Sequence, residues 1–89
     1  GVVSEEVAAA MAEGARTLFK SSYSIATTGL AEGGDEHYPE GTVCMAVSSP
    51  RGTFTRIFQT NSDRKGNIRR FANAALNFLE EIISSDINS

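Results

Sequence analysis

The chain has no tryptophan, one cysteine, one histidine and two prolines. A single cysteine cannot close an internal disulfide or build a cysteine-based zinc site, and it fits a reducing, cytoplasmic setting. No apolar run approaches the ~18–20 residues of a membrane span, and no basic start with an apolar core marks a signal peptide, so no membrane partner is expected. Lysine and arginine number 8 against 11 acidic residues, a formal charge of −3. Beyond Arg64 to Arg70 there is no basic patch, which argues against nucleic acid as the main partner, since phosphate neutralisation needs clustered cations. Repeats and low-complexity segments are absent as well.

What is present is ordinary globular composition, with 40% hydrophobic and 21% charged residues. Eighty-nine residues support one small domain and exclude a second. Such a domain buries only ~60–65% of its unfolded surface and is marginal without a partner. The chain has no initiator Met, and Gly1-Val2-Val3 stand directly before a helix. That arrangement is expected of a segment from something longer.

The order of elements reads α-β-β-β-α. From Ser4 to about Lys20, Val3, Val7, Ala10, Met11, Gly14 and Leu18 recur at helical spacing. Ser4 is the N-cap, and Glu5 and Glu6 complement the helix dipole; Val7 in place of Glu or Gln removes the reciprocal capping box. Tyr23 to Ala31 and Thr42 to Val47 lack the polar alternation of a half-exposed strand. Both are therefore expected as central strands buried on two faces. Ser48-Ser49-Pro50-Arg51-Gly52 reads as a tight turn into a third, more polar strand from Thr53 to Gln59, antiparallel to the second and nearer an edge. A last helix runs from about Asp63 to Ser85, and the tail from Ser84 to Ser89 is expected to fray.

On that helix Ile68, Phe71, Ala75, Leu79 and Ile82 fall within roughly 60° of a line through Arg64. Arg64 is thus placed on the buried stripe at the helix N-terminal end, with Arg69 and Arg70 off it. A guanidinium beside free helix N–H groups suits a phosphate or carboxylate. It equally suits pairing with a carboxylate of its own chain. The Gly-rich, acidic loop from Glu32 to Gly41 joins two strands at their ends, where α/β proteins hold ligands. Gly33 and Gly34 there could let a backbone approach a ligand, or form a plain turn. His37 among Asp35, Glu36 and Glu40 reads as a solvated loop, and Cys44 as an inert core thiol. Ser48 and Ser49 have no histidine in sequence reach, so a serine triad is unsupported.

Several blocks in order carry a resemblance along almost the whole chain: Gly1-Val2-Val3-Ser4-Glu5-Glu6-Val7, Met11-Ala12-Glu13-Gly14-Ala15, Ala26-Thr27-Thr28-Gly29-Leu30-Ala31, Pro39-Glu40-Gly41-Thr42-Val43, and Asp63-Arg64 ahead of Asn73-Ala74-Ala75-Leu76. They resemble the C-terminal domain of the competence/damage-inducible CinA proteins, whose stand-alone members are nicotinamide mononucleotide deamidases. The resemblance implies a three-layer α/β/α sandwich. It also implies hydrolysis of the carboxamide of nicotinamide mononucleotide to nicotinic acid mononucleotide and ammonia, with no metal or redox cofactor. The family's proposed nucleophile is the serine of a Ser-Cys-Thr-Gly-Gly motif, assisted by a Tyr and a Lys, all in a first half that nothing in these 89 residues matches. No catalytic residue is therefore assigned here.

Thr28, Gly29 and Arg64 carry over as substrate-binding positions, joined by Gly33 and Gly34 of the loop; they would orient substrate rather than attack it. The loop departs from the family pattern. It is shorter, lacks the Gly-Pro pair, and has Tyr38 where members carry Lys. Its Glu32, Asp35, Glu36 and Glu40 would oppose an anionic nucleotide. Three classes follow: an amidase domain completed by a further segment or chain, a non-catalytic binding or assembly module, and a domain that binds a nucleotide without hydrolysing it. An open sheet missing its first strands also leads us to expect a homo-oligomer or association with an N-terminal segment.

Overall fold

The computed structural model describes residues 3–29, 37–60 and 64–88, with side chains of the last helix described from Arg69 onward. Helix α1 spans Glu5–Phe19. Its start follows from Ser4, whose extended backbone (φ −161°, ψ 157°) lets the hydroxyl accept the Val7 amide at 3.0 Å, satisfying one of the first-turn donors. It stops where Lys20 turns left-handed (φ 52°); the amides of Lys20 and Ser21 then close onto the carbonyls of Thr17 and Arg16. The face it buries is narrow. Ala8 and Ala12 are fully buried, whereas Met11 and Leu18 from the expected stripe are 49% and 75% exposed. Two alanines let the helix lie close to the sheet, and the larger apolar side chains point elsewhere.

Strands β1 (Ser24–Thr27), β2 (Thr42–Ser49) and β3 (Gly52–Gln59) form one antiparallel sheet in the order β1-β2-β3. The expectation of two central strands is corrected by this order. β2 alone is central, and all eight of its residues are buried. β1 is an edge among the described strands, four residues long rather than running from Tyr23 to Ala31, and Ile25 on it is exposed. Alternation along β2 divides its side chains between two helices. Cys44 and Ala46 pack with Ala8 and Ala12 of α1, while Met45 and Val47 pack with Phe78 from the opposite side. β3 lies at the other edge, as its polarity implied, joined through Pro50-Arg51, with Gly52 at φ 139° where a side chain is disfavoured.

Helix α2 (Arg64–Ile87) covers the second face, completing a three-layer α/β/α sandwich. Phe71, Ala75, Leu79 and Ile82 surround the Met45, Val47 and Phe78 cluster, and the Phe71 ring meets Phe58 edge-on. Phe78 is the stripe's most buried member, 2% exposed. Arg56 lies 4.3 Å from the centre of its ring and 2.6 Å from the Glu81 carboxylate. At the helix C-terminal end, the Asp86 carboxylate accepts Tyr23 Oη at 2.7 Å and Arg51 Nη1 at 3.3 Å, holding α2 against the start of β1 and the β2–β3 turn. Hydrogen bonding to Asp86 is the main reason the Tyr23 phenol is pushed above its usual value. Among the described residues, no helix is long and apolar enough to cross a membrane.

Candidate functional site

Thr28 marks the point where the chain leaves the β1–β2 ladder. Its amide donates to the Cys44 carbonyl at 2.9 Å, as a ladder residue would. The reciprocal bond is different: the Cys44 amide donates to Thr28 Oγ1 at 3.0 Å instead of to a backbone carbonyl. The same hydroxyl donates to the Gly29 carbonyl at 3.1 Å. Thr28 is buried, its hydroxyl proton is committed, and the backbone after it is released from the sheet. Gly29 follows in the open, where an added Cβ would meet nothing within 4 Å.

The other three sequence-derived positions are placed less fully. Gly33 and Gly34 lie outside the described residues, and so does most of the acidic loop. Arg64 is the first residue of α2, the helix end expected for it, while its side chain is outside the described set. The structure thus brings Thr28 and Gly29 together at the open end of β1, with no described contact from either to Arg64.

The return of the loop into β2 is pinned by the end of β3. Gly41 adopts φ 89°, and a Cβ there would lie 2.8 Å from Thr60 Oγ1. Its carbonyl accepts both the amide and the hydroxyl of Thr60, at 2.9 and 2.8 Å. Gln59 donates through Nε2 to the Glu40 carbonyl at 2.7 Å, and the Thr42 hydroxyl donates to the Pro39 carbonyl at 2.6 Å. These bonds fix where the strand begins.

Tyr38 packs against the cluster of Ala8, Ala12, Cys44 and Ala46. Its hydroxyl accepts the Glu5 amide at 3.2 Å. This satisfies another first-turn donor of α1. Glu5 in turn accepts the Thr55 hydroxyl at 2.6 Å. Ser4, Glu5, Glu6, His37, Tyr38 and Ile57 line an open cleft of about 470 Å³ beside these contacts. Nothing periodic in the sequence signals the Tyr38–Glu5 contact, because it joins residues 33 positions apart.

Of the residues weighed as nucleophiles, Thr28, Cys44, Ser48 and Ser49, none hydrogen-bonds to a carboxylate or an imidazole among the described residues. Burial pushes the Cys44 thiol above its ordinary value, the nearby Glu5 charge adds to that, and the Thr28 hydrogen bond acts in the opposite sense. A thiol held protonated in this way is an inert core group, as expected. Ser48 Oγ accepts the Thr53 hydroxyl at 3.2 Å; Ser49 Oγ donates to the Gly52 carbonyl and accepts the Arg51 amide, both at 3.1 Å. His37 is exposed, and no group of three or more His, Cys, Asp or Glu that could hold a metal occurs among the described residues.

Comparison with known proteins follows the same outline. The family model of the CinA C-terminal domain matches residues 1–83. A CinA-like protein of Fervidobacterium nodosum is 45% identical over 67 residues, 73% of this chain and 16% of that protein. One from Anaeromyxobacter dehalogenans is 43% identical over 81 residues, 89% of this chain and 20% of the relative. Among solved structures, a competence-damaged protein (CinA) superfamily member from Escherichia coli superposes with a TM-score of 0.77 at 34% identity, covering 90% of this chain and 48% of that one. A competence or damage-inducible protein from Enterobacter asburiae gives 0.74 at 32%, covering 86% and 50%. The chain therefore spans about half of these solved structures and a fifth or less of these curated relatives.

Proposed function

The chain belongs to the CinA C-terminal domain family, and from that premise we propose that it is the substrate-orienting part of an amidase. The reaction is hydrolysis of the carboxamide of nicotinamide mononucleotide to nicotinic acid mononucleotide and ammonia. The observation that carries this division of labour is the state of the candidate nucleophiles. Thr28, Ser48 and Ser49 have hydroxyls engaged by the fold, and Cys44 is buried and kept protonated. The attacking group comes from a different segment or chain.

In this reading the chain supplies position. β1 ends at Thr28, and exposed Gly29 leaves main chain open to a ligand. The start of α2 offers helix N–H groups and Arg64 for the nucleotide phosphate. Support for a completing segment comes from the surface. Met11 and Leu18 form a second apolar stripe on α1 that the described residues leave uncovered, and among the described strands β1 is paired on one side only.

A second reading, a non-catalytic binding or assembly module, is favoured by Tyr38. Where the family carries a cation, this chain has a side chain spent on the α1 N-terminus. A Ser-Cys-Thr-Gly-Gly motif with a following Tyr and Lys in the adjoining sequence supports the amidase; its absence supports the module. Calorimetry tests the orienting role. Nicotinamide mononucleotide affinity is expected to be lost in Arg64→Ala with the circular dichroism spectrum unchanged, and unchanged affinity assigns Arg64 to structure instead.

A further inference from the structure

At the opposite end of the sheet from Thr28, the last turns of α1 and the β2–β3 hairpin enclose an open cavity of about 670 Å³. Its wall contains Arg16, Thr17, Lys20 and Ser21 from the helix end, Thr53 from the hairpin, and one carboxylate, Glu13. Ser48, also in the wall, pairs with Ser24 at the start of β1. That places the cavity ~13 Å along the strand from Thr28, outside the amidase site proposed above.

We infer that this cavity binds a small phosphorylated ligand. Three observations carry the assignment. First, Arg16 is anchored: Nη1 donates to the Ser49 carbonyl at 2.7 Å, fixing a half-buried guanidinium whose other N–H groups have no described partner. Second, the side chains of Thr17, Lys20 and Ser21 make no hydrogen bond or ion pair with the described residues, whereas Arg51 and Arg56 are neutralised by Asp86 and Glu81. The cavity wall thus sets two cations and two unspent hydroxyls against one carboxylate, in a chain of net charge −3. Third, the helix end is not left as a bare negative pole. The Arg16 and Thr17 carbonyls are already taken by the Ser21 and Lys20 amides, which reduces the repulsion an anion would meet at a helix C-terminus.

The volume falls inside the range of about 300–1,000 Å³ typical of small-ligand sites. Arg16 and Lys20 take the phosphate, with Thr17 and Ser21 donating to its oxygens. Glu13 accepts a hydroxyl from the ligand's uncharged part. A sugar phosphate therefore binds more tightly than inorganic phosphate.

The test is a titration of the 89-residue chain, labelled with ¹⁵N, with inorganic phosphate and with ribose 5-phosphate. Saturable shifts are expected at the amides of residues 16 to 21 and at Thr53. Lys20→Ala, an exposed change that leaves the core intact, should weaken both ligands about tenfold or more. Glu13→Ala should tighten inorganic phosphate and remove the preference for ribose 5-phosphate. Arg69→Ala, an exposed cation on α2, should change neither. The inference is overturned by shifts that do not saturate or that centre elsewhere, by full affinity in Lys20→Ala, or by an equal loss in Arg69→Ala.

Discussion

β1 and β2 look alike as sequence and behave differently as structure. Ile25-Ala26-Thr27 and Val43-Cys44-Met45-Ala46-Val47 are both uncharged runs without polar alternation. β2 has a strand on each side and a helix on each face, and every residue of it is buried. Among the described strands β1 has one neighbour. The Thr28–Cys44 bond sets the ladder alternation, so the N–H and C=O groups of Ile25 and Thr27 face away from β2. Composition alone therefore does not decide burial; the number of neighbours does. The closed strand holds the fold together, and the open one delivers Thr28 and Gly29 to the candidate site.

The contrast can be broken most forcefully at the core. Phe78→Ala, beneath β2, should cost about 3–5 kcal/mol, a large part of the stability of a domain this size. Ile25→Ala on β1 should cost less, about 1–2 kcal/mol, since the side chain is already 37% exposed. Urea unfolding followed by circular dichroism measures both, and equal losses would erase the distinction between the strands. Next in size is Gly41→Ala at the entry to β2. A left-handed backbone and a contact too short for a Cβ should lower stability by ~1–3 kcal/mol; an unchanged midpoint would mean the β2 entry tolerates a different turn.

The smallest effect lies in pH. The folded chain raises the Cys44 thiol above its unfolded value, chiefly by burial. Folding then favours the protonated form, so this contribution is fully present below the ordinary thiol range and is lost as pH rises from there through the raised value of the folded state. Thermal melts should fall on the alkaline side, and Cys44→Ala should flatten part of that slope. An identical slope in the variant would place the thiol in contact with water.

Much of the fold was legible because it rests on local chemistry. Ser4 capping, the α1 limits, the Pro50-Arg51 turn and the Phe71, Ala75, Leu79, Ile82 stripe all follow from residues close in sequence. The inward face of α1 was not, since alanine carries little hydrophobic weight yet is what close helix–sheet packing selects. The position of β1 at an edge was hidden for a related reason: a single run does not reveal how many neighbours it has. At the site, Thr28 was legible as a position, but its role in closing the ladder depends on a partner 16 residues away. The contacts of Tyr38 with Glu5 and of Arg16 with Ser49 link residues 33 apart and leave no periodic trace.

The central proposal is that this chain orients substrate while the nucleophile comes from a different segment or chain. Ammonia release from nicotinamide mononucleotide by the purified 89-residue chain tests it most directly. The account predicts release at the uncatalysed background rate, and turnover above that background would contradict it.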